Sequence, residues 1–217
     1  MKIILLGYGK MGKEVEKISL NRGHEILAKK NNDKNINKSF YLRADVAIDF
    51  STPDSAFNNI SNALNNNVPV ISGTTGWLKD LEKIKNITQK NNTAFMHSSN
   101  FSIGVNLFYK LNKKLSKLMN DQTQYKATLR EIHHANKIDK PSGTAINLAK
   151  NLPKNINIKS ERKGEIFGTH IIKYISENDT IEIKHEAHNR KGFAFGAVFA
   201  AEWILNKKGF FNIEDIL

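Results

Sequence analysis

The sequence predicts an α/β protein built on a doubly wound parallel sheet, with a second, α+β region inserted into it. Short apolar segments alternate with segments of helical periodicity over roughly the first 100 residues, a pattern typical of parallel strands joined by helices. The first apolar segment, 2–6, runs into Gly-Tyr-Gly-Lys-Met-Gly and then into a predicted helix, 13–21. A strand, a glycine turn of this spacing and a helix are typical of the Rossmann type of sheet.

The glycine turn predicts a dinucleotide site. Its first glycine makes the tight turn, its second lets a pyrophosphate approach the backbone, and its third lets the helix pack on the strand. The residues of the turn predicted to bind the cofactor are Gly7, Tyr8, Gly9, Lys10, Met11 and Gly12.

The end of the second predicted strand, 26–28, leaves the choice of cofactor open. An acid that grips the ribose hydroxyls is expected about 20 residues beyond the turn, and Asn31 stands there instead. Either Asp33 takes the role of the acid, or Lys29 and Lys30 attract a 2′-phosphate. We therefore expect NADH and NADPH both to serve, with NADPH equal or better at low salt.

The remaining segments complete two regions. In the first region, strands are predicted at 44–50, 68–72 and 94–97, with helices at 53–66, 78–91 and 197–206, and a helix at 102–120 leads into the second region. In the second region, strands are predicted at 125–132, 169–176 and 180–188, with a helix at 145–150 and a polar loop at 160–164. His170 is interpreted as a strand residue without a role in the site.

Side chains that can exchange protons or bind anions are concentrated in the stretch 131–145, Glu-Ile-His-His-Ala-Asn-Lys-Ile-Asp-Lys-Pro-Ser-Gly-Thr-Ala. Histidine is the side chain best suited to exchange a proton near neutral pH, and His133 and His134 stand where a strand ends. Lys137 adds positive charge, and Pro-Ser-Gly-Thr opens a helix whose free N–H groups suit a carboxylate. A His-His pair or a Ser-Gly-Thr turn alone is ordinary, but their combination in one loop favours a proton donor beside a carboxylate clamp.

The composition of the chain argues against several other classes of protein. The 217 residues carry a formal net charge of +12, but the lysines are scattered among asparagines, so we expect no nucleic-acid partner. No apolar run is long enough to span a membrane, and the chain has no cysteine, which fits a cytoplasmic protein. Without cysteine or a His-Glu-x-x-His spacing, a metal is the weaker alternative, and none is predicted.

The stretch 131–145 resembles the signature of the dihydrodipicolinate reductase family, Glu-x-His-His-x-x-Lys-x-Asp-x-Pro-Ser-Gly-Thr-Ala, at each named position. The resemblance implies that His133 is the acid/base and Lys137 a second proton donor. It also implies that the substrate's carboxylates are held by His134, Ser142, Gly143 and Thr144.

The resemblance extends over nearly the whole chain. It implies that the nicotinamide is lined by two loops, and that Arg190 is a cofactor-binding residue where the chain returns to the nucleotide domain. The residues of the two loops are Gly73, Thr74, Thr75, Ser98, Ser99, Asn100 and Phe101. The implied domains are 1–102 with 190–217 for the dinucleotide, and 103–189 for substrate binding and oligomerisation in a homotetramer.

The resulting hypothesis is NAD(P)H-dependent reduction of 4-hydroxy-tetrahydrodipicolinate to tetrahydrodipicolinate in lysine and diaminopimelate biosynthesis. The alternative is another Rossmann oxidoreductase of a small imino or amino dicarboxylic acid, against which the histidine-lysine loop argues. A nucleotide sensor or nucleic-acid binder would require an aromatic and basic patch, and the sequence shows none.

Overall fold

The computed structural model describes residues 1–31, 36–154 and 156–217. The chain forms two compact units, residues 1–103 with 191–217 and residues 104–190. No helix among the described residues combines the length and the apolar character needed to cross a bilayer.

The elements follow one another along the chain as β1 (Lys2–Leu6), α1 (Lys10–Asn21), β2 (Glu25–Lys30), α2 (Lys38–Tyr41), β3 (Val46–Asp49), α3 (Pro53–Asn65), β4 (Val70–Ser72), α4 (Leu81–Lys90), β5 (Ala94–His97), α5 (Ile103–Met119), β6 (Lys126–His133), α6 (Gly143–Ala149), β7 (Ile158–Arg162), β8 (Gly168–Ile175), β9 (Thr180–Ala187), α7 (Lys191–Trp203) and β10 (Gly209–Phe211). Single 3₁₀ turns form at Leu78–Asp80 and Ile213–Ile216.

The first unit contains a six-stranded sheet in the order β10-β5-β4-β3-β1-β2, in which every pair is parallel. Its inner strands β1, β3, β4 and β5 are mostly apolar because both faces of the sheet are covered, whereas the edge strand β2 carries charged residues at both ends. Ile3 and Leu5 point into a core shared with α7, whereas Ile4 and Leu6 point into a second core formed with α3 and α4. The prediction of a doubly wound parallel sheet is confirmed.

Helix α7 begins at Lys191, six residues before the predicted start at Ala197. Its two glycines disguise the helix in the sequence, since glycine is a poor helix former. Gly196 is required by packing: a Cβ there would lie 1.7 Å from the carbonyl oxygen of Phe101. The three-residue strand β10, which pairs with β5, was not predicted because so short a segment carries no periodicity.

The second unit contains a four-stranded sheet in the order β7-β6-β8-β9. β6 pairs with β7 in parallel and with β8 antiparallel, and β8 pairs antiparallel with β9. The core lies on one face of this sheet, where Leu129, Ile172 and Tyr174 pack with Phe108 and Leu148 from α5 and α6. The presence of a second, α+β unit agrees with the predicted fold class.

The polar segment 160–164 was predicted as a loop, and this is wrong for its first half, because Ile158–Arg162 is the edge strand β7. Lys159 and Glu161 alternate with Ser160 and Arg162, and neither set is apolar. Ser160 and Arg162 lie opposite Glu131 and His133 of β6, so the strand's inner face serves a polar cluster and shows no hydrophobic alternation.

Candidate functional site

The glycine turn after β1 has the geometry that a bound pyrophosphate requires. Gly7 has a φ of +103°, and a Cβ on it would lie 2.2 Å from the carbonyl oxygen of Phe50. A Cβ on Gly12 would lie 2.3 Å from the carbonyl oxygen of Gly7. At Gly9, in contrast, no atom lies within 4 Å of a Cβ position. The first and third glycines are therefore fixed by packing, and the second leaves the backbone open to a ligand.

A cavity of about 450 Å³ opens beside this turn. Gly7 and Gly9 line one side, Lys30 and Asn31 line the end of β2, and Thr52 lies at the start of α3. The structure thus places the predicted ribose-binding position, Asn31, in the same cavity as the glycine turn. Asp33, the predicted alternative to Asn31, lies outside the described residues.

The two lysines at the end of β2 have different surroundings. The Lys29 ammonium forms an ion pair with Glu16 and lies 4.7 Å from the centre of the Tyr8 ring. Tyr8 also donates a hydrogen bond to Glu16, and both contacts lower the pKa of that carboxyl. Lys30 is the lysine that lines the cavity. A phosphate in the cavity would accordingly meet Lys30 rather than Lys29.

Two further loops at the same edge of the sheet are joined by a buried carboxylate that the sequence did not reveal. Asp49, the last residue of β3, accepts hydrogen bonds from the hydroxyls of Ser51 at 2.6 Å and Ser72 at 2.8 Å. Burial raises the pKa of Asp49, although these hydrogen bonds oppose the rise. Thr74 accepts a hydrogen bond from the Ser51 amide at 2.9 Å, which ties the loop after β4 to the loop after β3.

The other residues predicted to contact the nicotinamide lie after β4 and β5. Gly73 and Thr74 follow β4, and Thr75 beside them is exposed. Ser98 donates a hydrogen bond to the carbonyl oxygen of Asn100 at 2.8 Å. Phe101 is 2% exposed and belongs to the core, so its side chain does not face solvent. Three more predicted residues, Lys10 at the start of α1, Ser99 in the loop and Arg190 in the other unit, are exposed, whereas Met11 is half-buried.

In the second unit, the buried carboxylate of Glu131 lies at the centre of a polar cluster. Register places Glu131 opposite Ser160 on β7 and opposite His170 on β8, which is in turn opposite His185 on β9. His133, two residues along β6, shares the same face. Glu131 Oε2 lies 3.2 Å from His133 Nδ1 and 3.8 Å from His170 Nε2. The sheet thereby gathers one carboxylate and three histidines on its inner face.

Arg162 ties the signature loop to this cluster. Its guanidinium donates to Glu131 Oε1 at 3.2 Å and to the main-chain oxygens of Lys137 and Asp139. The carbonyl oxygen of His133 also accepts a hydrogen bond from the Lys163 amide at 2.8 Å. At the outer end of the loop, the Lys137 ammonium donates to Asp139 at 2.6 Å. The loop that carries Lys137 is therefore anchored to β6 and β7.

The turn that opens α6 is fastened to the same carboxylate. The Ser142 amide donates to Glu131 Oε1 at 2.9 Å, and the Ser142 hydroxyl caps the helix by accepting from the Ala145 amide at 3.2 Å. No atom lies within 4 Å of a Cβ position on Gly143, so the backbone there is open to a ligand. The Thr144 side chain contacts Tyr109 of α5, and His134 is half-buried beside His133.

The cluster controls the protonation of its own members. Burial opposes the ionisation of Glu131, but the hydrogen bonds from Ser142 and Arg162, together with the nearby Ser160 hydroxyl, outweigh it and lower the pKa of Glu131. Burial lowers the pKa of His133, while the Glu131 charge raises it and partly compensates. Burial, together with the nearby His133, lowers the pKa of His170 to about 3. His170 is therefore neutral at physiological pH, and the carboxylate is ionised.

One ligand atom from each of Glu131, His133 and His170 lies within 4.8 Å of the others, a spacing that could hold a metal ion. The Arg162 guanidinium already contacts the same carboxylate at 3.2 Å, and its charge opposes a second cation there. His170 Nε2 also lies 3.4 Å from the Ser142 hydroxyl. We interpret the cluster as a network of hydrogen bonds and ion pairs.

Sequence reasoning missed Asp49, Arg162 and His170, and it gave Glu131 no role. A signal existed for Glu131 and Arg162, because both belong to short polar motifs inside strands, where apolar residues would be expected on the core face. For His170 the only signal was its place on β8, and the partner that makes it part of the cluster comes from the strand pairing.

The parallel sheet, the glycine turn and the open cavity together define a Rossmann-type dinucleotide-binding protein. Residues 1–101 match the family model described as dihydrodipicolinate reductase, N-terminus, and residues 104–217 match that described as dihydrodipicolinate reductase, C-terminus. The chain belongs to the dihydrodipicolinate reductase family, and it is accordingly a pyridine-nucleotide-dependent reductase. The predictions of the family and of an oxidoreductase are confirmed.

Individual relatives agree with this assignment. The 4-hydroxy-tetrahydrodipicolinate reductase of Christiangramia forsetii is 44% identical over 233 residues, covering 100% of this chain and 98% of the relative. That of Thermosipho africanus is 40% identical over 220 residues, with the same coverage. Among solved structures, a dipicolinate-bound dihydrodipicolinate reductase from Paenisporosarcina sp. TG-14 superposes with a TM-score of 0.80 at 23% identity, covering 100% of this chain and 99% of that chain, and it shows the shared fold.

Proposed function

We propose that the protein reduces 4-hydroxy-tetrahydrodipicolinate to tetrahydrodipicolinate with NADH or NADPH, as a step of lysine and diaminopimelate biosynthesis. Family membership over both units supports the reaction class. The observation that carries the residue assignment is the buried pairing of Glu131 with His133 next to the anchored loop of Lys137.

In this proposal the first unit binds the cofactor. Gly9 leaves the backbone open to the pyrophosphate, and Asn31 offers an uncharged amide to the adenine ribose. Asp49 holds the loops after β3 and β4 in place through Ser51 and Ser72. When bound, the nicotinamide supplies a hydride. The residues after β4 and β5, which the family resemblance places at the nicotinamide, stay a prediction.

The second unit supplies protons and holds the substrate. Replacing a hydroxyl by a hydride requires the hydroxyl to leave as water, so a proton donor is needed near the substrate. We assign that role to His133, with Lys137 as a second donor that also offsets the substrate's negative charge. The adjacent turn offers main-chain N–H groups at Gly143 and Thr144, and hydrogen-bonding side chains at His134 and Ser142, to the two carboxylates.

We also propose that the protein is cytoplasmic and assembles as a homotetramer through the second unit. The face of its sheet opposite the core carries half-buried Ile171 and exposed Ile175. Light scattering of the purified protein measures the assembly directly.

The proposed reaction is tested by following NAD(P)H absorbance with substrate generated enzymatically in the cuvette. We expect oxidation only when the substrate is formed, and none with iminoaspartate or other imino dicarboxylates formed in place. Turnover of those compounds, without turnover of 4-hydroxy-tetrahydrodipicolinate, would favour the alternative oxidoreductase and contradict this proposal.

A further inference from the structure

We propose that Glu131 is the positioning residue of His133: its carboxylate holds the ring at Nδ1, so that Nε2 is the atom that exchanges the proton. This inference rests on the proposed function, because it concerns the histidine assigned there as proton donor. In this proposal Glu131 does not touch the substrate and acts through the side chain of His133.

The first support is the geometry of the ring. Glu131 Oε2 lies 3.2 Å from His133 Nδ1, and both residues are nearly inaccessible, at 0% and 6% exposed. Neither Nδ1 nor Oε2 forms a hydrogen bond of standard geometry among the described residues, so the contact between the carboxylate and this side of the ring is electrostatic. A buried carboxylate facing one ring nitrogen favours a proton on that nitrogen.

The second support is the space at the other nitrogen. A Cβ on Gly168 would lie 2.9 Å from His133 Nε2, and Gly168 has a φ of +153°. Any larger residue at 168 would crowd Nε2 and strain the backbone. The glycine thus leaves Nε2 without a side chain from residue 168 against it.

The third support is that the carboxylate itself is held rigidly. Oε1 accepts from the Ser142 amide at 2.9 Å and from Arg162 at 3.2 Å, which leaves Oε2 directed toward the histidines. His170 Nε2 lies 3.8 Å from Oε2, and the His170 ring makes a T-shaped contact with the His133 ring. A fixed carboxylate can orient a ring more sharply than a mobile one.

The proposed proton transfer is balanced on the histidine. The imidazolium of His133 gives its Nε2 proton to the substrate and becomes the neutral ring that keeps its proton on Nδ1. A proton from solvent then restores the imidazolium. The ionised Glu131 stabilises the charged ring throughout, and does not itself give up or take a proton.

The charged and titratable groups facing His133 are Glu131 on β6, Arg162 on β7, His170 on β8, and Lys137 and Asp139 in the loop. Lys137 and Arg162 disfavour the imidazolium, whereas the two carboxylates favour it. Removing the Glu131 charge must therefore lower the pKa of His133. Above that pKa, each unit of the fall reduces the protonated fraction about tenfold.

The test compares Glu131→Gln with wild type and with Glu182→Gln, a control in the same sheet whose exposed carboxylate pairs with Lys173. We expect kcat of Glu131→Gln to fall about 10-fold or more at pH 7.5 and to recover as the pH is lowered, with KM for NAD(P)H unchanged. Glu182→Gln should retain the wild-type pH profile. A Glu131→Gln profile that superimposes on wild type would overturn the proposal.

A second measurement does not depend on the folding of Glu131→Gln. Nitrogen-15 NMR of the histidine rings of the wild-type protein, with His133 assigned by its loss in His133→Gln, reports which nitrogen carries the proton. We expect the neutral ring to carry it on Nδ1, and a neutral ring with the proton on Nε2 would overturn the proposal. If the wild-type enzyme does not reduce the substrate, the proposed reaction fails, and this measurement still decides the role of Glu131.

Discussion

Lowering the pH should destabilise the folded protein through His170, by an amount that its burial determines. The His170 ring is 3% exposed, and burial together with His133 lowers its pKa from 6.5 to about 3 in the folded state. In the unfolded chain the same ring takes up a proton near pH 6.5. Because the pKa of His170 is lower in the folded state than in the unfolded state, the folded protein keeps its full stability above pH 6.5. Its free energy of unfolding decreases as the pH falls below that value.

The size of the effect follows from the two pKa values. At pH 8 the ring is neutral in both states, and it contributes almost nothing to the pH dependence. At pH 5 the unfolded ring is charged and the folded ring is not, which lowers the free energy of unfolding by about 2 kcal/mol relative to pH 8. His133 and His185, whose pKa values are also lowered chiefly by burial, add to the loss in the same direction.

Urea unfolding at several pH values between 5 and 8 measures this loss in the wild type and in His170→Gln. The variant should lose about 2 kcal/mol less than the wild type over this range. His188→Gln removes an exposed histidine next to β9 and serves as the control, with the wild-type slope expected. Equal slopes in wild type and His170→Gln would refute the argument.

Two further predictions concern lysines of the proposed site. Lys137→Ala should raise the substrate KM and lower kcat, because it removes a charge held in the anchored loop. Lys140→Ala, at an exposed lysine of the same loop, should leave both constants unchanged. Wild-type constants in Lys137→Ala would show that Lys137 is an ordinary surface charge. Lys30→Gln should weaken NADPH more than NADH, by on the order of 1 kcal/mol at low salt, since Lys30 lines the cavity. The NADPH advantage of the wild type should shrink as salt rises, and Lys17→Gln on the outer side of α1 is the control. A strong, salt-independent preference for NADH would contradict this expectation.

The sequence was sufficient to predict those elements whose pattern depends only on neighbouring residues in the chain. Strand β1 is a short apolar run beside a glycine turn, and the turn's three glycines have three roles that their spacing already indicates. The signature stretch could be read in the same way, because its histidines, lysine and helix-capping turn lie within fifteen residues. Both predictions required only neighbours along the chain.

What the sequence did not reveal depends on strand pairing. Glu131 acquires its environment from Ser160 and His170, which come from β7 and β8, and from Arg162 at the end of β7. No periodicity marked β7, because its inner face is polar where it meets Glu131. Gly196 hid the start of α7 for a similar reason, since the need for glycine arises from the carbonyl of Phe101 far away in the chain.

We propose that His133 gives the proton in the reduction of 4-hydroxy-tetrahydrodipicolinate, and the turnover of His133→Ala tests this role most directly. The substitution removes the ring beside Glu131 and leaves the cavity of the first unit intact. We predict that kcat falls by about 100-fold or more, while the affinity for NADH, measured by fluorescence titration, stays at the wild-type value. Wild-type turnover in His133→Ala would contradict the claim.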